Sequence, residues 1–94
     1  MHFAVFNEDK PDHTELRASV RPAHLEYKSG FDVRMGGPFH NEAGDMIGSC
    51  IVVQLDDLAA AEAFVENDPY NQAGLFERTR VVPFTPAIWQ PTAS

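Results

Sequence analysis

Four basic side chains follow one another along a single face of a predicted helix. Arg17, Arg21, His24 and Lys28 are spaced by three or four residues, so they form one stripe beside the apolar residues of the same segment. His24 is then expected at the margin between core and solvent, where an imidazole can exchange protons near neutral pH. Arg17 and Arg21 could hold an anionic ligand against it. A solvated basic face is the competing interpretation of the same pattern.

Asp68 is the second residue with chemical potential. It precedes Pro69 and Tyr70, an order that predicts a carboxylate capping a helical turn that begins at Pro69. A carboxylate held in this way is also a rigid partner for an imidazole, because it holds the tautomer and stabilises the cation. The sequence leaves both roles open.

Other site chemistries have less support in the sequence. Histidines and cysteine do not cluster at metal-ligand spacing, and neither a phosphate-binding loop nor a nucleophile elbow is present. We therefore expect no metal and no cofactor.

Composition narrows the class of protein. The 94 residues fit one domain with a modest core, and 44% of them are hydrophobic, as in an ordinary globular protein. The net charge of −7 argues against a nucleic-acid partner, which would require clustered basic residues. A single cysteine, Cys50, excludes an internal disulfide and fits a reducing, cytoplasmic location. No apolar run is long enough to predict a membrane span or a signal peptide.

Hydrophobic periodicity predicts an α+β fold of the ferredoxin-like type, with the order β-α-β-β-α-β, an antiparallel sheet and two helices on one face. The predicted strands cover residues 2–7, 31–35, 48–55 and 75–82; the helices cover 20–29 and 57–66, with single helical turns at 13–18 and 69–74. The domain would then span residues 1–84, and residues 85–94 would form a tail anchored through Trp89.

Prolines and glycines set several of these predicted boundaries. An interior proline removes a helical hydrogen bond, so Pro22 predicts a break in the first helical segment, with Ser19 capping the main helix. Gly36-Gly37-Pro38 and Pro83 are predicted to end strands. A polar loop is predicted over residues 39–47.

The strands predict a dimer. Phe3 and Val5 alternate with Ala4 and Phe6, so the first strand is apolar on both faces, and the strand from Gly48 to Leu55 shows the same pattern. Two short helices cover only one face of such a sheet. A second copy packed on the other face would bury it in a two-fold dimer. The alternative is that the C-terminal tail covers this face.

Five short motifs, taken in order, resemble the YCII-related proteins. They are Arg21-Pro22-Ala23-His24-Leu25, Gly36-Gly37-Pro38, Gly48-Ser49, Asp68-Pro69-Tyr70 with Gly74, and Val82-Pro83-Phe84. The resemblance implies a ferredoxin-like fold in the dimeric α/β-barrel class, with a histidine and an aspartate in the active site. These two map onto His24 and Asp68. Most of the family has no assigned reaction, and one branch is a dehydrochlorinase that acts on a chlorinated hydroxyquinol.

The chain departs from the family pattern in two places. The loop over residues 39–47 looks short, and Val82 stands where the family has a lysine. Both positions could alter substrate choice, so the substrate of the dehydrochlorinase branch is not transferred to this chain.

The leading hypothesis is a cofactor-independent lyase or isomerase that acts on a small anionic or enol-like molecule. His24 would be the general base and acid, and Asp68 would orient its ring. Arg17 or Arg21 would hold the substrate, and Gly37 and Ser49 would line the cleft. One alternative is a non-catalytic dimeric module that binds a ligand or serves a larger pathway. A cofactor-free monooxygenase is a third possibility, supported by fold analogy alone.

Overall fold

The computed structural model describes residues 1–89. They form β1 (His2–Asp9), α1 (Thr14–Ser29), β2 (Asp32–His40), β3 (Met46–Gln54), α2 (Leu58–Glu66), α3 (Pro69–Gln72) and β4 (Phe76–Phe84). The strand order is β2-β3-β1-β4, and each neighbouring pair is antiparallel. The predicted ferredoxin-like α+β fold is therefore confirmed. Within these residues, no helix combines the length and apolar character needed to cross a membrane.

The main core lies between the sheet and the helices. Phe3 and Val5 of β1 pair with Val53 and Ile51 of β3, and all four side chains are buried. Ala61 and Phe64 of α2 pack on them, together with Tyr27 of α1 and other partly buried residues, so both long helices cover the same face of the sheet. Phe6, one residue out of phase with this row, is 41% exposed on the other face. The predicted division of β1 into two apolar faces is thus confirmed.

Helix α1 is continuous, so the predicted break at Pro22 is wrong. The helix runs from Thr14 to Ser29 with Pro22 inside it, and its N-cap is His13. The Ser19 hydroxyl donates to the Leu16 carbonyl instead of capping a new helix. Tertiary packing holds both halves in line: residues before the proline pack against Tyr70, Leu75 and Phe76, and Tyr27 after it packs against the main core.

Both outer strands are longer than predicted, because they continue through the prolines that were expected to end them. Pro38 lies within β2 and Pro83 within β4, the two strands that have a partner on one side only. An edge strand tolerates a residue without an N–H group. The Gly36-Gly37-Pro38 segment therefore continues β2, and the predicted loop over residues 39–47 shortens to a turn at residues 41–45.

The C-terminal segment is described as far as Trp89, so residues 90–94 of the predicted tail lie outside the described part of the chain. Ile88 is 85% exposed and Trp89 is 44% exposed. The division into a domain at residues 1–84 and a tail at 85–94 stays a prediction.

Candidate functional site

His24 and Asp68 meet in the interior, although 44 residues separate them in the chain. The His24 Nδ1 atom lies 2.8 Å from Asp68 Oδ1, and the two residues are 4% and 2% exposed. His24 is thus buried more deeply than the expected margin between core and solvent. An ionised carboxylate only accepts hydrogen bonds, so Nδ1 carries a proton, and in the neutral imidazole Nε2 has the free lone pair.

The position of Asp68 is set by the start of α3. Its Oδ1 atom also accepts a hydrogen bond from the backbone N–H of Tyr70 at 2.9 Å, as expected for an N-cap residue. Pro69 occupies the first turn of the helix, where a missing N–H costs nothing. The predicted capping role and the predicted imidazole partnership therefore coexist on one oxygen atom.

Tyr70 packs against the imidazole and completes the wall behind it. The Tyr70 and His24 rings stack with their centroids 4.0 Å apart and an interplanar angle of 18°. Burial raises the pKa of the Tyr70 hydroxyl, although the charges of Arg17 and Arg21 pull it in the opposite direction. Tyr70 therefore stays a neutral phenol, and the stacking holds the imidazole plane in one orientation.

A small cavity opens beside His24. Its volume is about 130 Å³, and a cavity of about 150 Å³ can hold a benzene ring. It is lined by all the predicted site residues except Asp68, which lies behind His24: Arg17, Arg21, His24, Gly37 and Ser49. Among the described residues, no hydrogen bond reaches His24 Nε2 and no unpaired side-chain nitrogen is fully buried. The free nitrogen is therefore accessible from the cavity.

Arg17 differs from the free cation that the sequence pattern predicts. Its Nε and Nη2 atoms donate to the two carboxylate oxygens of Asp9 at 2.6 and 3.0 Å, and both side chains are 5% exposed. Its guanidinium also lies 4.6 Å from the centroid of the Tyr70 ring. Burial alone would lower the pKa of Arg17, but the hydrogen bond and charge of Asp9 outweigh this effect and raise it. Arg17 thus lines the cavity with a charge that Asp9 already compensates.

Arg21 and Lys28 supply the cavity with positive charge that no described carboxylate compensates by a salt bridge. Arg21 is exposed and Lys28 is partly buried, and both line the cavity. Burial lowers the pKa of Lys28; Asp68 opposes this shift, and Arg21 and Arg17 add to it. Lys28 continues the stripe of Arg21 and His24, so the sequence contained the signal for it, but sequence reasoning did not select it as a site residue.

Asn7 is a further polar residue that sequence reasoning missed. It is buried on the helix-covered face of β1, in phase with Phe3 and Val5, and its Nδ2 atom donates to Ser49 Oγ at 3.1 Å. An asparagine in phase with core residues of a strand is a signal that could have been found. Ser49 itself lies on β3 directly opposite Asn7.

A larger groove of about 500 Å³ lies on the exposed face of the sheet, with a lining that includes Phe6, Phe39, Ile47 and Arg80. It does not contain His24 or another buried imidazole–carboxylate pair. The candidate site is therefore the smaller cavity, because volume alone supplies no group that can transfer a proton.

Comparison with known proteins gives a family match over nearly the whole chain. The model of the YCII-related domain matches residues 1–85. Protein YciI of Escherichia coli O6:H1 is 35% identical over 95 aligned positions, which cover 89% of this chain and 96% of that protein.

Solved structures agree with this match. One is TftG, the 5-chloro-2-hydroxyhydroquinone dehydrochlorinase of Burkholderia phenoliruptrix AC1100, solved in complex with 2,5-dihydroxybenzoquinone. It superposes with a TM-score of 0.86 and 30% sequence identity, and the match covers 90% of this chain and 94% of TftG. A NIPSNAP domain protein of Burkholderia xenovorans superposes with a TM-score of 0.54 and 17% identity, covering 98% and 100% of the two chains. The second likeness shows the fold alone.

Proposed function

The chain belongs to the YCII-related family, and we propose that it is a cofactor-independent enzyme, of the lyase or isomerase type, acting on a small anionic or enol-like molecule. The observation that carries this proposal is the 2.8 Å contact between His24 Nδ1 and Asp68 Oδ1 beside a cavity of one-ring size. A buried carboxylate that holds one imidazole nitrogen leaves the other as a base facing the ligand.

In the proposed mechanism His24 moves a proton at Nε2. It removes the proton from a substrate carbon or oxygen, and the resulting imidazolium is stabilised by Asp68 on the Nδ1 side. It then returns the proton to the product or to a departing group. Stacking on Tyr70 prevents the ring from rotating away between these steps.

Positive charge on α1 supports an anionic substrate. Arg21 and Lys28 line the cavity without a carboxylate partner among the described residues, whereas Arg17 is compensated by Asp9. A negative charge that develops on an enolate or phenolate oxygen would be stabilised there. TftG, which is 30% identical to this chain, supports this ligand class because it was solved in complex with 2,5-dihydroxybenzoquinone, a quinone with two ionisable hydroxyl groups.

We propose further that the protein works as a two-fold dimer joined through the exposed face of the sheet. Ala4 and Val52 at the centre of that face are buried in the single chain, but Phe6, Met35 and Phe84 are between 41% and 52% exposed. A second copy would bury these side chains and close the groove beside Phe6. The alternative is that the C-terminal tail covers this face. Within the described part of the tail, Ile88 is largely exposed, which does not support that alternative.

The catalytic proposal is tested by anaerobic turnover assays with 5-chloro-2-hydroxyhydroquinone, following chloride release and quinone absorbance. Unchlorinated hydroxyquinols, which have no chloride to eliminate, serve as the blank for turnover and as binding probes. Replacing His24 with Ala should lower turnover by about 10²–10⁴-fold. The His40→Ala variant is the matched control, since His40 is exposed and does not line the cavity. Equal turnover by the two variants would contradict the proposal. Ligand binding without turnover of any of these compounds would favour the alternative, a non-catalytic ligand-binding module.

A further inference from the structure

A row of three polar side chains crosses adjacent strands on the helix-covered face of the sheet. Ser49 on β3 and Thr79 on β4 both lie opposite Asn7 on β1. Asn7 and Ser49 are 3% and 4% exposed, and they lie on the same face of β1 and β3 as the buried apolar residues of the main core. A buried polar group costs free energy unless it is hydrogen-bonded. A hydrogen-bonded polar row therefore adds little stability compared with an apolar row of the same shape. The row therefore points to a role in the adjoining cavity.

The hydrogen bonds along this row run in one direction. The Thr79 hydroxyl donates to Asn7 Oδ1 at 3.0 Å, which leaves the amide NH₂ group on the other side as the donor. That group donates to Ser49 Oγ at 3.1 Å. A serine oxygen that accepts this bond still has its own proton to donate. Within residues 1–89, no hydrogen bond from Ser49 Oγ to an acceptor is found, and Ser49 lines the cavity beside His24.

We infer that Asn7 is a positioning residue that makes Ser49 a hydrogen-bond donor to an acceptor oxygen of the ligand, either a carbonyl or an oxyanion. The inference rests on the proposed function, because it takes the His24 cavity as the ligand site. It also narrows the ligand class. The ligand presents an acceptor oxygen to β3 while Arg21 and Lys28 on α1 meet its negative charge. An acceptor oxygen is the ligand group that pairs with the free hydroxyl proton of Ser49.

The test is a double-mutant cycle on ligand affinity, with 2,5-dihydroxybenzoquinone as the probe and visible absorbance as the signal. Ser49→Ala removes a hydrogen bond to a charged acceptor and should weaken binding about 10- to 100-fold. Asn7→Leu keeps a side chain of similar size but removes its hydrogen-bonding groups, and it should lose part of the same factor. In the Ser49→Ala background, Asn7→Leu should cause no further loss, because the group through which it acts is absent.

Thr79→Val keeps the test decisive if Asn7→Leu fails to fold. The valine preserves side-chain shape but no longer orients the Asn7 amide, so binding should weaken in the wild-type background and not in the Ser49→Ala background. Thermal unfolding of each variant separates loss of fold from loss of affinity. An equal loss in both backgrounds would show a purely structural role and overturn the inference, as would unchanged affinity in Ser49→Ala.

The outcomes also separate this inference from the proposed function. Serine-dependent binding without histidine-dependent turnover would keep the inference and remove the catalytic proposal. If the wild-type protein fails to bind the quinone at millimolar concentration, the inferred ligand class is wrong, even where another compound is turned over.

Discussion

Asp68 Oδ1 accepts two hydrogen bonds at once, from His24 Nδ1 at 2.8 Å and from the Tyr70 backbone N–H at 2.9 Å. One oxygen thus caps α3 and orients the imidazole. The N-terminus of α3 thereby fixes the position of Asp68, and Asp68 in turn fixes the orientation of the His24 ring. The backbone bond also leaves Asp68 little room to move away from the ring.

Substitution separates the role of Asp68 as a hydrogen-bond acceptor from its role as a negative charge. Asn caps helices about as well as Asp, and its Oδ1 atom can accept both the Tyr70 N–H and the His24 Nδ1–H, so Asp68→Asn should cost little stability. The neutral amide no longer stabilises the His24 cation. We expect turnover to fall by about 10²–10⁴-fold. Asp68→Ala should lose the cap as well, with about 1 kcal/mol of additional destabilisation. Turnover assays with thermal and chemical denaturation measure both effects. Full activity in Asp68→Asn would show that the negative charge of Asp68 is not needed to stabilise the His24 cation.

Arg17 and Arg21 should respond differently to the loss of charge. Arg17→Met leaves Asp9 buried without its partner, and breaking a buried ion pair costs about 3–5 kcal/mol of unfolding free energy. Arg21→Met removes an exposed charge and should change stability by less than about 0.5 kcal/mol while weakening the binding of an anionic quinone. Urea denaturation and ligand titration of the two variants form a matched comparison. Similar stability of both would show that the Asp9 contact contributes little.

The lowered pKa of Lys28 predicts a pH step in ligand affinity. The protonated side chain attracts an anion, so affinity falls as the pH rises through the pKa, and burial places that pKa below the usual 10.5. With a ligand that is fully ionised above neutral pH, binding should begin to weaken at a lower pH than it would if Lys28 had the pKa of an ordinary lysine. Lys28→Arg stays charged and should remove the step. Titrations across the alkaline range test this, and an identical step in Lys28→Arg would assign it to another group.

Gly48 and Gly37 offer a paired test of close strand packing. A Cβ atom at Gly48 would clash with the backbone carbonyl oxygen of Asn7 and lie 3.3 Å from the Phe39 ring, whereas one at Gly37 would meet nothing within 4 Å. Gly48→Ala should therefore destabilise the fold by about 1–3 kcal/mol, as overpacking does. Gly37→Ala should stay within about 0.5 kcal/mol of wild type. Denaturation midpoints decide between them, and equal midpoints would argue against the close approach of β1 and β3.

The proposed dimer is tested by a charge on the exposed sheet face. Phe6→Asp replaces an apolar side chain of that face with a carboxylate. Removing this charge from water in an interface costs free energy even though Arg80 lies opposite it on β4, so the dimer should dissociate. Leu58→Asp, at a similarly exposed position at the start of α2, is the control. Sedimentation velocity should give twice the 10.4 kDa chain mass for wild type and Leu58→Asp, and the single-chain mass for Phe6→Asp. A monomeric wild-type protein would refute the proposal.

The sequence by itself determined the order of elements, the two faces of β1 and the stripe on α1 that carries Arg21, His24 and Lys28. These features follow from periodicity, because the repeat of a helix or strand decides which side each residue of one element occupies. The cap at Asp68 was also predictable, since it depends on its immediate neighbours in the chain. Family motifs pointed to the same histidine and aspartate before any contact between them was known.

The tertiary structure alone decided which of these residues meet. The contact between His24 and Asp68, and the pairing of Arg17 with Asp9, depend on how α1 packs on α3 and on the end of β1, and periodicity within one element carries no information about that packing. The same holds for the prolines. Pro22 stays inside a helix because packing on both sides holds the helix straight, and Pro83 continues a strand because β4 lies at the edge of the sheet.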